Sequence, residues 1–227
     1  MSCEKSNIFL SDWICEGLRI VLQKSLKRIT RPIFDDIKLF EEELKSALHS
    51  EVRLINMIGK YIIHHKGKLI RPILTILSSR VCGQPSLNSY KAAAMIELLH
   101  IATLIHDDVV DESSLRRGLA SANAVWGNQA SVLVGDFLFS RSFELMVSDG
   151  SLDVLAVLSR ASSVIAEGEV LQLTTTNDTK TGETRYLEVI QAKTAQLFSA
   201  ACKIGALVAD RPKVEEDIPE VYLLENL

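Results

Sequence analysis

The chain has 227 residues, of which 47% are hydrophobic, and its formal net charge at pH 7 is −4. Its length and composition favour a single well-packed globular domain, and its overall charge gives no reason to expect a nucleic-acid partner. No apolar run approaches the ~18 residues that a bilayer-spanning helix needs, so we expect no transmembrane segment.

The N-terminal residues and the cysteines indicate where in the cell the protein is located. Glu4, Asp12 and Glu16 interrupt the N-terminal stretch, which is therefore unlike a signal peptide or an acid-poor transit peptide. The four cysteines are scattered without zinc-like spacing, as is typical of reduced thiols. We predict a cytoplasmic protein.

The elements predicted along the chain are nearly all helical, because apolar residues recur every three to four positions and no proline occurs between Pro85 and Pro212. Residues 1–30 predict an amphipathic leader. A break is expected at Lys66-Gly67-Lys68, and Asn88 or Ser89 is expected to cap a long helix. The other helices are expected over about 35–49, 52–65, 73–81, 122–128, 130–147, 151–175 and 183–209. We therefore predict an all-α helical domain over residues 31–210 and a divergent tail over 211–227.

Three aspartates stand at the far end of the long helix. Asp107 and Asp111 share one helix face, with Asp108 beside them. Negative charge at a helix C-terminus is opposed by mutual repulsion and by the helix dipole, so a hard cation such as Mg²⁺ is expected there. Arg116 and Arg117 follow, and guanidinium groups bind phosphate. These residues indicate a diphosphate site, although a solvated acidic helix end followed by a basic loop is the alternative.

Six short motifs occur in one order along residues 26–209. They are Gly67-Lys68-Leu69-Ile70-Arg71-Pro72, Glu97-Leu98-Leu99-His100, Asp107-Asp108-Val109-Val110-Asp111 with Arg116-Arg117, Gly135-Asp136-Phe137-Leu138, Glu167-Gly168-Glu169-Val170-Leu171-Gln172 and Lys193-Thr194-Ala195. Together they resemble the motifs of the trans-type polyprenyl diphosphate synthases, in particular the long-chain octaprenyl and solanesyl members.

The resemblance implies an isoprenoid-synthase-like helical bundle and a Mg²⁺-dependent prenyltransferase. Such an enzyme adds isopentenyl diphosphate units to an allylic prenyl diphosphate and makes a long polyprenyl diphosphate, such as the precursor of a ubiquinone side chain. A homodimer is also implied.

The resemblance also implies residue roles. Asp107, Asp108 and Asp111 would hold Mg²⁺; Lys68, Arg71, His100 and Arg117 would bind isopentenyl diphosphate; and Arg116, Lys193 and Thr194 would bind the allylic diphosphate. From the residue types alone, other interpretations stay open. Lys68 and Arg71 could be solvated loop charges, His100 a core histidine, and Lys193 a partner of Glu188 or Glu169.

Product length is expected to depend on the helix turns before Asp107. Thr103, Ala102, Leu99 and Ile96 lie one to three turns before it. The resemblance implies that early-stopping members carry bulky aromatic residues at the first of these positions. Thr and Ala predict an open tunnel, and Ala102→Phe is expected to shorten the products.

One family feature is not found in this sequence. A second aspartate-rich segment, Phe-Gln-x-x-Asp-Asp-x-x-Asp, would complete the metal cluster, and the sequence leaves the family pattern after Ala209. A C-terminally truncated copy is the favoured interpretation; a chain that acts with a partner and an autonomous short enzyme are the alternatives. A noncatalytic subunit that binds a full-length synthase as a hetero-oligomer, or that binds diphosphate without turnover, is therefore the second functional hypothesis.

Overall fold

The computed structural model describes residues 24–64, 67–176 and 181–209. Before Asp36, the described residues form a helical segment over 24–30 and a 3₁₀ turn at Arg31–Ile33. From Asp36 onward they belong to a second unit. Most of the predicted leader and the whole of the predicted tail over 211–227 lie outside the described residues.

Helices account for almost all of the described chain. They are α1 (Phe34–Ala47), α2 (Arg53–His64), α3 (Ile70–Cys82), α4 (Leu87–Val110), α5 (Ala122–Trp126), α6 (Asn128–Asp149), α7 (Leu152–Thr175), α8 (Glu183–Ile190) and α9 (Gln196–Leu207). A π-helical segment, Gln191–Ala195, joins α8 to α9. The predicted helices are present with ends shifted by a few residues, except that the helix expected over 183–209 is divided into α8, the π-helical segment and α9.

Helix α4 lies at the centre of the core of the second unit. Fourteen of its residues are buried, and they occupy every side of the helix, which is the pattern of a helix surrounded by others. Its Met95, Ile96 and Leu99 belong to a buried cluster with residues of α6, α7 and α9. This position gives α4 a rigid frame, which fixes the polar side chains at its end.

The start of α4 differs from the prediction. Its N-cap is Ser86, two or three residues before the expected Asn88 or Ser89. Ser89 still contributes, because its Oγ accepts a hydrogen bond from the Ser86 amide at 3.1 Å. The predicted cap was therefore wrong. Ser89 is the third residue of the helix, and its side chain accepts the hydrogen bond of the N-cap amide, as in a capping box.

A β-hairpin in the loop after α4 was not predicted. Its strands are β1 (Leu115–Arg116) and β2 (Leu119–Ala120), which pair in antiparallel fashion. The two turn residues, Arg117 and Gly118, have φ angles of 54° and 80°, as in a type I′ turn. An arginine at the first of these positions carries a strain of about 1–2 kcal/mol, which other contacts of Arg117 must offset.

A polar network around the buried Asp36 carboxylate joins three helices. The Asp36 carboxylate accepts hydrogen bonds from Arg80 Nε and the Tyr90 hydroxyl, both at 2.9 Å. Arg80 Nη2 lies 2.8 Å from the same carboxylate. Asp36 thus ties α1 to α3 and α4.

Among the described residues, no helix is both long enough and apolar enough to cross a membrane.

Candidate active site

The three aspartates at the end of α4 face two different cavities. Asp107 and Asp111 line a cavity of about 340 Å³ together with Leu99 and Thr103, and we call this the apolar cavity. Asp108 lines a smaller cavity of about 90 Å³, the basic cavity, on the neighbouring face of the helix. Residues four apart on a helix share a face, whereas consecutive residues are turned by about 100°. One helix therefore serves two sites.

The wall opposite α4 in the apolar cavity comes mainly from α7. Ile165, Ala166 and Leu173 supply apolar surface, and Glu169 supplies a carboxylate near the aspartates. Phe139 of α6 contributes an aromatic ring. The cavity thus combines acidic groups with a largely apolar lining, which suits a ligand that has one charged end and a hydrocarbon tail.

Lys193 lies between the acidic groups of the apolar cavity. Its Nζ is 2.7 Å from Glu169 Oε2 and 3.5 Å from Asp107 Oδ2. Burial disfavours its charge, but the hydrogen bond to Glu169 and the charge of Asp107 outweigh this, so the pKa of Lys193 is raised. Burial, followed by repulsion from Glu169, raises the pKa of Asp107 above its ordinary value. The site therefore holds more negative charge than one lysine offsets.

The π-helical segment determines where Lys193 and Thr194 lie. A π turn adds a residue to the α-helical count and so rotates the following side chains around the helix axis. At the same level, a Cβ on Gly168 of α7 would lie 2.7 Å from the Ala192 Cβ, so only glycine permits this approach. The close approach brings Lys193 to Glu169, while Thr194 is exposed.

Asp108 and Arg116 form a bidentate ion pair in the basic cavity. Arg116 Nε and Nη2 each donate to the Asp108 carboxylate at 2.6 Å, and this hydrogen bonding raises the pKa of Arg116. Asp108 is buried and lines the basic cavity, whereas Asp107 and Asp111 line the apolar cavity. In this structure Asp108 therefore holds the hairpin after α4. Metal binding by Asp108 and allylic-diphosphate binding by Arg116 stay predictions.

Three of the four residues predicted to bind isopentenyl diphosphate come together. Arg71 Nη1 donates to His100 Nε2 at 2.9 Å, and its guanidinium lies 4.3 Å from the Phe198 ring centre. The Arg117 guanidinium lies against Gly67, where a Cβ would be 2.7 Å from Arg117 Cζ. His100, Gly67 and Arg117 all line the basic cavity. Lys68, the fourth residue, is exposed near them along the chain.

The charge on His100 is suppressed by its surroundings. Burial and then the charges of Arg71 and Arg117 lower its pKa to about 3. The neutral ring accepts from Arg71 at Nε2, so its proton is on Nδ1. His100 is thus neither a bare core histidine nor a cation at neutral pH.

We expect His100 to make the stability of the fold depend on pH. Because its pKa is lower in the folded state than its ordinary 6.5, the unfolded chain binds more protons between those values. The free energy of unfolding should therefore decrease as the pH falls from 6.5 towards 3, and the decrease should be shallower in His100→Gln. Urea unfolding across this range measures both, and a His100 NMR resonance titrating near 6.5 would contradict the expectation.

The carboxylates of Asp107 and Asp111 suit a hard divalent cation that a phosphate-bearing ligand also binds. Among the described residues, no group of three His, Cys, Asp or Glu side chains is close enough to form a complete protein site. Mg²⁺ does not require one, because it is commonly held by one or two carboxylates together with substrate phosphates and water. The surplus negative charge around Asp107 agrees with this chemistry.

The residues predicted to form a chain-length tunnel divide into two pairs. Leu99 and Thr103 line the apolar cavity. Ile96 and Ala102 are fully buried and are not among the described residues that line it.

Two acidic residues of the site were not predicted as functional. Glu169 was considered only as a possible partner of Lys193, while Glu188 instead pairs with Arg185 at 2.8 Å. Buried Glu97 lines the basic cavity and partly offsets the effect of burial on the pKa of Arg71. Both lie in quoted motifs, but the sequence pattern does not show which carboxylate meets which cation.

Comparison with known proteins gives one consistent result. Residues 52–224 match the Polyprenyl synthetase family, so the match extends into the segment predicted to be a divergent tail. The octaprenyl diphosphate synthase of Escherichia coli K12 is 47% identical over 192 residues, which are 85% of this chain and 59% of that protein. The all-trans-nonaprenyl-diphosphate synthase of Rhodobacter capsulatus is 42% identical over 191 residues, 84% of this chain and 59% of that protein.

The fold agrees with the sequence match. A crystal structure of polyprenyl synthase from Caulobacter crescentus CB15, complexed with calcium and isoprenyl diphosphate, superposes with a TM-score of 0.78 at 46% identity. The similarity covers 80% of this chain and 56% of that one. This confirms the predicted all-α isoprenoid-synthase fold. The chain spans about 59% of the length of the relatives that it matches, and it belongs to the polyprenyl synthetase family.

Proposed function

We propose that this chain carries the substrate-binding half of a Mg²⁺-dependent prenyltransferase, which adds isopentenyl diphosphate to an allylic prenyl diphosphate. The observation that carries the proposal is the arrangement on α4. One face presents two aspartates at an apolar cavity, and the adjacent face presents His100 beside two arginines. A reaction between two diphosphate esters needs two such sites next to each other.

The allylic substrate fits the apolar cavity. Its hydrocarbon chain would lie along Leu99 and Thr103, and its diphosphate would lie at Asp107 and Asp111. When bound there, Mg²⁺ would neutralise the charge that develops on the departing pyrophosphate. Lys193, held by Glu169, would add a fixed positive charge at the same end of the cavity.

We place isopentenyl diphosphate at the mouth of the basic cavity, where the cationic side chains lie. Arg71 and Arg117 supply guanidinium groups, Lys68 supplies an exposed ammonium, and neutral His100 supplies an N–H donor. In the proposed reaction the allylic carbon–oxygen bond breaks, the double bond of isopentenyl diphosphate attacks the cation, and the released pyrophosphate takes the proton. The apolar walls would keep water from the cation.

Product length should respond to the residues that line the apolar cavity. Thr103→Phe would place an aromatic ring one turn before Asp107, so we expect it to shift products to shorter chains. Thr103→Val has nearly the same volume and loses only a hydroxyl that donates to the His100 carbonyl at 2.9 Å, so it should leave product length unchanged. Chromatography of dephosphorylated products measures the shift, and equal chain lengths in all three proteins would contradict the tunnel.

A second candidate function is that of a noncatalytic subunit. Apolar side chains are more than half exposed near the end of α7 and on α8, including Val170, Leu173, Tyr186 and Leu187. Exposed apolar side chains of this kind can mark a protein interface. A partner synthase could cover these side chains, and the chain would then bind diphosphate or influence product length without turning over substrate itself.

An elongation assay separates the two candidates. Purified protein is incubated with farnesyl diphosphate, labelled isopentenyl diphosphate and Mg²⁺, alone and with a full-length relative. Elongation by the single protein supports the transferase. A rate or product length in the mixture that differs from that of the relative alone supports the subunit. Absence of metal-dependent binding of either diphosphate to folded protein would overturn both. A homodimer, a cytoplasmic location and a quinone-precursor product stay predictions.

A further inference from the structure

A basic groove lies apart from the two cavities on α4. It runs between the end of α1 and one side of α2, and its volume of about 510 Å³ is within the range of small-molecule sites. Four basic side chains line it, over a floor that includes Leu48, Gly59 and Ile63. The basic residues are Lys45, His49, Lys60 and His64. Of the described residues that line the two cavities, only Ile63 is common to both.

The lining of this groove contrasts with the charge of the chain. Among the described residues no acidic side chain lines it, although the whole chain carries a net charge of −4. Lys45 lies in the last turn of α1, where its charge also complements the helix dipole. Lys60 lies inside α2 and has no such role, so the groove holds more positive charge than the end of α1 needs.

Hydrogen bonds within the protein hold the turn between α1 and α2, which forms one wall of the groove. The Ser50 amide donates to Asn56 Oδ1 at 3.0 Å, and Asn56 Nδ2 donates back to the Ser50 carbonyl. From α6, Arg141 Nη2 donates to the His49 carbonyl at 3.1 Å. A wall held in this way loses little conformational freedom when a ligand binds.

Gly59 widens the floor without being required by the fold. It lies inside α2, where glycine is less favourable than alanine, and its backbone has no positive φ. An added Cβ would meet only the Leu48 side chain, at 3.8 Å and beyond, which is ordinary contact. The protein itself therefore leaves room for a methyl group at this point, and a ligand could use that room.

We propose that this basic groove binds a phosphate-bearing amphiphile, with its phosphate at Lys45 and Lys60 and the first carbons of its tail on Leu48 and Ile63. The phosphate could belong to a prenyl diphosphate free in solution or to the headgroup of an anionic lipid, since the chemistry at the groove is the same. None of the residues that line the groove is assigned to the transferase reaction, so this inference can be tested independently of the proposed function.

The test removes two charges from the groove and two from elsewhere on the same helices. Lys45→Gln/Lys60→Gln is compared with Lys38→Gln/Arg53→Gln, because Lys38 and Arg53 are exposed on α1 and α2 and do not line the groove. Binding of farnesyl diphosphate is measured by calorimetry in EDTA, where the aspartates repel it, and every protein in the comparison also carries Arg71→Gln/Arg117→Gln, which removes the guanidinium groups of the other diphosphate site. Inorganic pyrophosphate serves as the tail-free probe, and phosphatidylcholine vesicles with or without phosphatidylglycerol test the lipid source.

We expect the groove variant to bind farnesyl diphosphate or phosphatidylglycerol vesicles about tenfold more weakly, and the control variant to change less than about twofold. Loss in only one arm identifies the source of the phosphate. Unchanged binding in both arms would overturn the proposal, and pyrophosphate binding as tightly as farnesyl diphosphate would overturn the role of the apolar floor.

A second variant, Gly59→Ala, tests the groove without destabilising the protein. Gly59→Ala should raise the melting temperature by about 2–4 °C, because alanine favours the helix, while the added methyl group weakens binding of the same probe. A more stable protein with unchanged affinity would contradict the proposal.

Discussion

Asp107→Asn is expected to lower kcat for elongation by about 10²–10³-fold, with little change in stability. The substitution keeps the size of the side chain but removes one of the two carboxylates at the apolar cavity. It also leaves Lys193 with Glu169 as its stronger partner, at 2.7 Å rather than 3.5 Å. Steady-state kinetics with increasing Mg²⁺ measures the loss, and calorimetry should show weaker metal-dependent binding of the allylic diphosphate.

The matched control for Asp107→Asn is Asp153→Asn. Asp153 is an exposed residue in the first turn of α7, away from both cavities, so the same chemical change should leave kcat within about twofold. Wild-type kinetics for Asp107→Asn would show that Asp107 does not act on the leaving group.

Asp36→Ala is expected to lower the free energy of unfolding by about 3 kcal/mol. The Asp36 side chain is only 8% exposed, and its loss removes hydrogen bonds from Arg80 and from the buried Tyr90 hydroxyl. Arg80 is 43% exposed and can be solvated by water, which limits the effect. Urea unfolding measures the change, and Glu42→Ala, on the exposed side of α1, should change stability by less than about 0.5 kcal/mol.

The same network predicts an effect at alkaline pH. Burial, and then the hydrogen bond to Asp36, raises the pKa of Tyr90 above its usual 10. A group with a raised folded pKa stabilises the fold below its unfolded pKa and loses this contribution as the pH rises through the folded value. Tyr90→Phe should therefore cost about 1 kcal/mol at neutral pH and progressively less above pH 10. A constant difference would show that Tyr90 does not titrate with the fold.

The long helices were the part of the structure most open to prediction. In α4 and α7 apolar residues continue over many turns, and glycine or proline occurs in the loops that precede them, so the sequence identifies each helix and its approximate ends. The β-hairpin could not be predicted in this way. Its strands have two residues each, and its turn uses Arg117 where asparagine or glycine is usual, so neither a period nor a turn signature was present.

In the candidate site, local side-chain relations could be predicted from the sequence, but contacts between distant residues could not. Helical spacing correctly puts Asp107 and Asp111 on one face, because that relation is local. The ion pairs Asp108–Arg116 and Glu169–Lys193 depend on where the hairpin and the π-helical segment bring their partners. A helical wheel gives the direction of a side chain but not the residue that meets it.

The continuous course of α4 sets a length scale for catalysis. At 1.5 Å per residue, the seven positions from His100 to Asp107 correspond to about 10 Å along the axis, and no loop interrupts them. The two diphosphates would thus be kept apart by a stiff spacer, and inserting one alanine after Leu104 would turn one binding face by about 100° relative to the other. The reacting carbons could then no longer meet, and Asp107 would also be turned away from Leu99 and Thr103, which line the same cavity.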